Sequence, residues 1–243
     1  MIQELFRVGP IPISPFGVLL VLAFLAAYWQ LHRGLAFLGV GDADSASALV
    51  FAGGVGGVAG AKIYYAFLYG DWRLLLERSG LVWYGGFALG AAAVLWTLHR
   101  RRLPLWPVLD AMTPALALGY GIGRIGCFLV GDDYGRPTDG PFGIAFPEGA
   151  PPTLERVHPT QLYEAAWLFA LTAFLWKRRD ESPRLWAEYF VLAAVGRFCV
   201  EFLRVNPRVW MGLSEAQLIA LGFFALGAVS WLHARRGLAT AAA

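Results

Sequence analysis

Charge is scarce in this sequence. Only 15% of its 243 residues are Asp, Glu, Lys or Arg, against about 25% in soluble globular chains. The formal net charge of +3 is too small for the electrostatic footprint of a nucleic-acid-binding domain. There are two cysteines, Cys127 and Cys199, which excludes a disulfide scaffold. What fills the space is apolar. Hydrophobic residues make up 58% of the chain, and the mean hydropathy is +0.54. That is more than one buried core can absorb. It comes in blocks of about 20 residues, the length that crosses ~30 Å of hydrocarbon. A soluble enzyme and a disordered chain are excluded, and an integral membrane protein is expected.

The blocks run roughly 16–31, 46–69, 81–98, 105–123, 159–176, 185–203 and 213–232. The first reads as a retained span, because residues 1–9 carry both Glu4 and Arg7 and no small-residue cleavage site follows the block. Basic residues collect on alternate connections: Arg33, then Arg100, Arg101 and Arg102, then Lys177, Arg178, Arg179 and Arg184, then Arg235 and Arg236. The positive-inside rule places these in the cytoplasm and the N-terminus outside. The expected fold is an all-α integral membrane protein with seven transmembrane helices, forming a single domain over 1–243. The segment 131–157, rich in proline and glycine, is expected to be a small extracytoplasmic cap. No repeat of fixed period appears, so a solenoid or inverted-repeat transporter is not supported.

Ionisable groups inside spans mark function by default. Here they are Lys62, Asp110, Arg124, Glu164, Glu188, Arg197 and Glu201. On the expected topology Lys62, Arg124, Glu164 and Arg197 share one layer near the outer face with Tyr84 and His158. Asp110 and Glu188 fall on the inner side. Arg197 and Glu201 stand i,i+4 on one helix face. Guanidinium forks match phosphate oxygens bidentately, so a cation cluster at headgroup depth reads as a site for an anionic phospholipid. The other reading is a set of interhelical salt bridges that fix packing. Glycines 53, 54, 56, 57 and 60 read as a close-packing face. Glycines 119, 121, 123 and 126 read either as packing or as freeing backbone N–H groups around Arg124 for an anion. Cys127 and Cys199 read as small buried apolar residues. The inner halves of the spans are nearly devoid of polar groups, which disfavours a channel or transporter. No G-x-S-x-G motif occurs and His158 is the one outward histidine, which disfavours an intramembrane serine protease.

Three runs carry a family resemblance. Gly123-Arg124-Ile125-Gly126-Cys127-Phe128-Leu129-Val130-Gly131-Asp132-Asp133-Tyr134-Gly135-Arg136-Pro137-Thr138 resembles the signature of the prolipoprotein diacylglyceryl transferases. So do His158-Pro159-Thr160-Gln161-Leu162-Tyr163-Glu164-Ala165 and Gly196-Arg197-Phe198-Cys199-Val200-Glu201-Phe202-Leu203-Arg204. Gly212-Leu213-Ser214-Glu215-Ala216-Gln217 matches a weaker element, and order and spacing agree over nearly the whole chain. The resemblance implies a multi-pass enzyme of the bacterial cytoplasmic membrane with its active site facing the outer leaflet. Its reaction transfers the diacylglyceryl group of phosphatidylglycerol to the lipobox cysteine of a prolipoprotein, forming a thioether and releasing glycerol phosphate. It implies no metal, no soluble cofactor and no nucleic-acid partner. Motif by motif, it implies that Arg124 and Arg197 hold the phosphate and that Glu201 orients Arg197. It implies that Gly131 and Gly135 shape a loop over the headgroup, and that His158, Gln161, Tyr163 and Glu164 support the site. Lys62, Asp132 and Arg204 complete the expected substrate contacts.

The chain departs from the family pattern at identifiable places. Tyr84, in Trp83-Tyr84-Gly85-Gly86, stands where the family has a histidine held to act in catalysis. Cys127 replaces an asparagine and Asp132 a glutamate. Phe16 stands where a tyrosine is common, and Lys62 stands near the family's arginine. Tyrosine titrates near 10 and histidine near 6.5, so Tyr84 is the expected catalytic residue whose chemistry differs most. Three readings stay open on sequence: the family's transferase with altered proton handling, a transferase with another donor or acceptor, and a non-catalytic lipid-binding paralogue.

Overall fold

The computed structural model describes residues 2, 4–9, 11–77, 80–182 and 184–241, with the side chains of 8, 11 and 237–241 left aside. The described chain is mostly helical. Its helices are α1 (Pro15–Leu38), α2 (Ala43–Tyr69), α3 (Trp83–Arg101), α4 (Leu105–Val130), α5 (Thr160–Arg178), α6 (Leu185–Glu201) and α7 (Glu215–Ala241). Three antiparallel hairpins interrupt them: β1 (Phe6–Val8) with β2 (Ile11–Ile13), β3 (Ile144–Phe146) with β4 (Thr153–Val157), and β5 (Arg208–Trp210) with β6 (Leu213–Ser214).

Among the described residues, α1, α2, α4 and the Glu215–Arg236 part of α7 are long and apolar enough to cross a membrane. The other three helices are shorter, at 19, 19 and 17 residues, and α5 and α6 carry charged groups, among them Glu164, Arg197 and Glu201. Large apolar side chains cover the outside of the helices: Phe51 is 72% exposed, Phe67 68% and Trp96 65%. An apolar exterior of this extent suits hydrocarbon as the solvent. Cys127 is part-buried and Cys199, expected to be buried, is exposed; both are free thiols.

The chain divides into two compact units, residues 28–108 and residues 1–27 with 109–243. In the first, α2 begins at Asp42, whose carboxylate accepts from the Ser45 N–H at 2.8 Å. It ends at Gly70, whose φ of 66° continues no helix. Its glycine face lies against α3. A Cβ on Gly60 would sit 2.2 Å from the Gly85 carbonyl oxygen, and one on Gly56 would sit 2.8 Å from the Ala93 Cβ. The two backbones therefore approach as close-packed membrane helices do.

In the second unit α4 runs on to Val130, past the expected end at residue 123. The glycines around Arg124 are thus helical and their N–H groups are not freed for an anion. Two of them meet the start of α1: a Cβ on Gly119 would lie 3.4 Å from the Ala23 carbonyl oxygen, and one on Gly126 would lie 3.1 Å from the Phe16 ring. The packing reading accounts for both. Pro114 sits inside α4 and cannot donate to the carbonyl of Asp110. The Thr113 hydroxyl supplies that bond instead, at 3.0 Å. Asp110 accepts from the Trp186 backbone N–H at 2.8 Å, which ties α4 to the start of α6. Glu188 accepts from Arg178 at 3.0 Å and from the Ser182 hydroxyl at 2.9 Å. Asp110 and Glu188 are thus both engaged in packing. The core of this unit centres on Ala117, Leu171, Leu175 and Leu185.

Gly60→Ala forces a methyl into the Gly85 backbone and should lower unfolding stability in detergent by about 1–3 kcal/mol. Gly222→Ala, where a Cβ meets nothing within 4 Å, should leave the Tm unchanged or slightly raised. Thermal unfolding of the two purified variants makes the comparison.

Candidate functional site

Six charged side chains close into one ring in the second unit. Arg124, from α4, places Nε on Glu164 Oε2 of α5. The other Glu164 oxygen, Oε1, accepts from Arg197 Nη1 of α6 at 2.5 Å. Arg197 Nη2 pairs with Glu201 Oε2, one turn further along α6, at 2.7 Å. Glu201 Oε2 also lies 3.6 Å from Arg204 Nε, just past the helix end. Arg204 Nη2 donates to Asp133 Oδ1 at 2.5 Å. Asp133 Oδ2 accepts from Arg124 Nη1 at 2.7 Å, which returns to the start. Cations and anions alternate, three of each, so the ring is neutral.

Burial makes that neutrality necessary. The Glu201 side chain is 0% exposed, Glu164 5%, Arg204 6%, Arg124 11% and Arg197 24%. Removing one charge from such a set leaves its neighbours buried and uncompensated. Glu201 is further held at Oε1 by Asn206 Nδ2 and by the Ser214 hydroxyl, each at 2.7 Å. Gln217 accepts from the Ser214 N–H at 3.0 Å and from Arg208 at 2.7 Å, which fixes the hairpin of β5 and β6 behind the ring. Arg124 is held from its own helix by the Tyr120 hydroxyl, at 2.9 Å.

The loop after α4 is pinned from α5. The Thr160 hydroxyl donates to the Asp133 carbonyl at 2.8 Å, and the Gln161 side-chain amide donates to the Asp132 carbonyl. The Gly135 N–H donates to the His158 carbonyl at 2.8 Å. A Cβ at Gly135 would lie 2.4 Å from the Leu203 carbonyl oxygen, so only glycine lets this loop pass. Gly131, with φ 76°, turns the chain out of α4. Burial works to raise the Asp133 carboxyl, but the Arg204 charge and the Arg124 hydrogen bond outweigh it and hold Asp133 below its usual value. Asp133 is therefore ionised at neutral pH. Asp132 moves the other way, raised chiefly by burial.

The expected residues divide. Arg124, Glu164, Arg197, Glu201 and Arg204 come together in the ring. Gly131, Asp132 and Gly135 form the loop beside it, and Gln161 pins that loop from α5. His158 serves the loop through its backbone, while its ring Nδ1 lies 3.3 Å from the Tyr163 hydroxyl. Tyr84 and Lys62 belong to the other unit. There the Tyr84 ring meets Trp83 and Tyr64 edge-on, at 5.5 and 6.5 Å between centroids, and Lys62 Nζ donates to the Glu77 carbonyl. Asn206 was not singled out by sequence, and Asp133, Ser214 and Gln217 stand within the matching runs but carried no expected role. Asp133 stands inside the quoted motif, but Asp132 matched the family's acid and drew the assignment. Among the described residues no group of three or more His, Cys, Asp or Glu is placed to hold a metal ion. A groove of about 470 Å³ lies toward the far ends of α5 and α6, lined by Phe174, Leu192 and Trp231 among others, away from the ring.

Glu201→Ala should lower stability by about 3–5 kcal/mol, because it leaves three buried guanidiniums facing two carboxylates, with one positive charge of the ring uncompensated. Glu201→Gln, which keeps the contacts to Asn206 and Ser214, should lower it by less. Chemical unfolding in detergent measures both.

The profile of the prolipoprotein diacylglyceryl transferase family matches residues 3–233. A Clostridium tetani protein named phosphatidylglycerol–prolipoprotein diacylglyceryl transferase is 32% identical over 236 residues, covering 92% of this chain and 94% of its own length. Proteins of the same name from Nostoc sp. and Vibrio vulnificus (strain YJ016) are 33% and 34% identical, covering 96% and 92% of this chain and 89% and 84% of their own lengths. On a family match that takes in almost the entire sequence, this chain belongs to the prolipoprotein diacylglyceryl transferases.

Proposed function

We propose that this protein transfers the diacylglyceryl group of phosphatidylglycerol to the lipobox cysteine of a prolipoprotein. The observation that carries this is the convergence of Arg124 and Arg197, from two helices, on the two oxygens of one carboxylate, Glu164. Two guanidiniums that share one planar anion are spaced to share a phosphate's oxygens. The relatives' names supply donor and acceptor.

In this reading the acceptor sulfur attacks the glyceryl carbon that bears the phosphate. The carbon–oxygen bond breaks, the thioether forms, and the bonding pair leaves on glycerol phosphate. The leaving phosphate gains a negative charge. Arg124 and Arg197 stabilise that charge from fixed positions, and Glu164 and Glu201 hold them there. The thiol must lose its proton to attack. Tyr84, in the place of the family's histidine, is the residue we assign to that proton. Lys62, Gly131, Asp132, Gly135, His158, Gln161, Tyr163 and Arg204 are assigned to the lipid's surroundings.

The proposed setting is the bacterial cytoplasmic membrane, with seven spans, the N-terminus outside and the ring toward the outer leaflet. Mutual neutralisation of the ring supports α5 and α6 as spans, since a lone charge costs up to about 2.5–3.5 kcal/mol at the centre of a span and a neutral set avoids that cost. Basic residues in the C-terminal parts of α1 (Arg33), α3 (Arg100, Arg101) and α5 (Lys177, Arg178), with Arg102, Arg179 and Arg184 just beyond and Arg235 and Arg236 in α7, support the direction.

The test supplies purified protein with phosphatidylglycerol and a lipobox peptide and follows thioether-linked diacylglycerol by mass spectrometry. Wild type should form product. Arg124→Ala and Arg197→Ala should each lower kcat/KM by about 100-fold or more. Absence of product from wild type while lipid and peptide both bind would refute the transferase reading. Tyr84→Phe should lower kcat by about 100-fold and Tyr84→His should retain transfer; full activity in Tyr84→Phe would remove Tyr84 from the reaction.

A further inference from the structure

The three anions of the ring are not equivalent. Glu164 and Glu201 stand on helices and are 5% and 0% exposed, whereas Asp133 stands on a loop and is 43% exposed. Its backbone is left-handed, with φ 62°, a conformation that Asp tolerates better than most residues. It follows Gly131, also at positive φ, so the loop turns sharply just before it. Its carboxylate bridges two guanidiniums from separate segments, Arg124 at 2.7 Å and Arg204 at 2.5 Å. Arg204 has a donor to spare: Nη1 is buried and meets no acceptor among the described residues.

Charge decides what an incoming anion must do here. The closed ring is neutral. A phosphodiester added to it would leave one unbalanced negative charge in a mostly buried site. If the phosphodiester replaces one carboxylate, neutrality is kept. Only Asp133 is free to leave, because Glu164 and Glu201 are fixed within α5 and α6 and enclosed.

We infer that Asp133 is a resident counter-anion in the lipid's phosphate seat, displaced from Arg124 and Arg204 when a phosphodiester binds. The phosphodiester oxygens then take over both guanidiniums and the spare Arg204 Nη1. Asp133 moves out to solvent about the turn at Gly131. The phosphate that displaces Asp133 is the one that Arg124 shares with Arg197, its neighbour on Glu164, so the proposed seat takes in all three arginines, and Asp133 tunes how tightly it holds its lipid. Naming a lipid as the source of the phosphate rests on the transferase reading above.

The experiment measures binding of short-chain phosphatidylglycerol in detergent, with inorganic phosphate in a parallel arm, alongside KM and kcat with a lipobox peptide. Asp133→Asn keeps the side chain's shape and its tolerance of positive φ while removing the charge. It should tighten phosphatidylglycerol about fivefold, with most of the gain in kcat/KM lying in KM. Combining it with Arg204→Gln should abolish that gain. Asp133→Gly, unstrained at this φ, makes the same comparison should asparagine unsettle the loop. A role confined to holding the loop would weaken binding in both variants, and unchanged or weaker lipid binding overturns the inference. Tightening of inorganic phosphate without tightening of the lipid overturns the lipid seat in favour of a free-phosphate site. Tighter lipid binding with no thioether product from any variant upholds the seat and refutes the transferase reading instead.

Discussion

Everything at the site depends on one electrostatic constraint: three guanidiniums and three carboxylates, mostly buried, have to neutralise one another. Arg124, Glu164, Arg197, Glu201, Arg204 and Asp133 do so by alternating around a closed ring. The constraint reaches into the fold. It requires α4, α5 and α6 to present their charges at one level and the chain after α6 to turn back within reach. It also requires the loop after α4 to double over, which Gly131 and Gly135 allow. The hairpin of β5 and β6 completes it by setting Ser214 and Gln217 behind Glu201.

The same arrangement serves the proposed chemistry. Arginines held by carboxylates are fixed before the substrate arrives, so little reorganisation is needed as charge develops on the leaving phosphate. A ring that is neutral and partly open is also poised for exchange. It is closed by helix-borne carboxylates on one side and by a loop-borne one on the other. An anionic headgroup has one edge at which to enter, and the charge balance is the same before and after.

Much of this was legible in the sequence. Apolar blocks located the seven α-helices of the described residues, since a run of apolar residues is a composition signal that needs no tertiary context. Arg124, Glu164, Arg197 and Glu201 were legible because a charge within an apolar block stands out on its own. The end of α4 was not, because the glycines at 119–126 resemble a break until Gly119 and Gly126 are seen to pack against α1 and Gly121 against Phe169. Hairpins with strands of two to five residues leave too short a pattern to read. Asp133 escaped because its importance lies in the direction its left-handed backbone sends the side chain, which no spacing rule encodes. Ser214 and Gln217 stand in the weaker matching run 212–217, and Asn206 in turn-rich sequence, but only contact with Glu201 or its neighbours shows what they do.

The central claim is that Arg124 and Arg197 share one lipid phosphate. Magnetic-resonance distance measurement between the phosphorus of bound phosphatidylglycerol and 15N-labelled arginine side chains addresses it directly, with Arg124→Lys and Arg197→Lys to assign the signals. The account predicts that the phosphorus lies within about 4 Å of guanidinium nitrogens of both residues, and that each substitution removes one contact and leaves the other. A phosphorus near only one of them, or near neither, would contradict it.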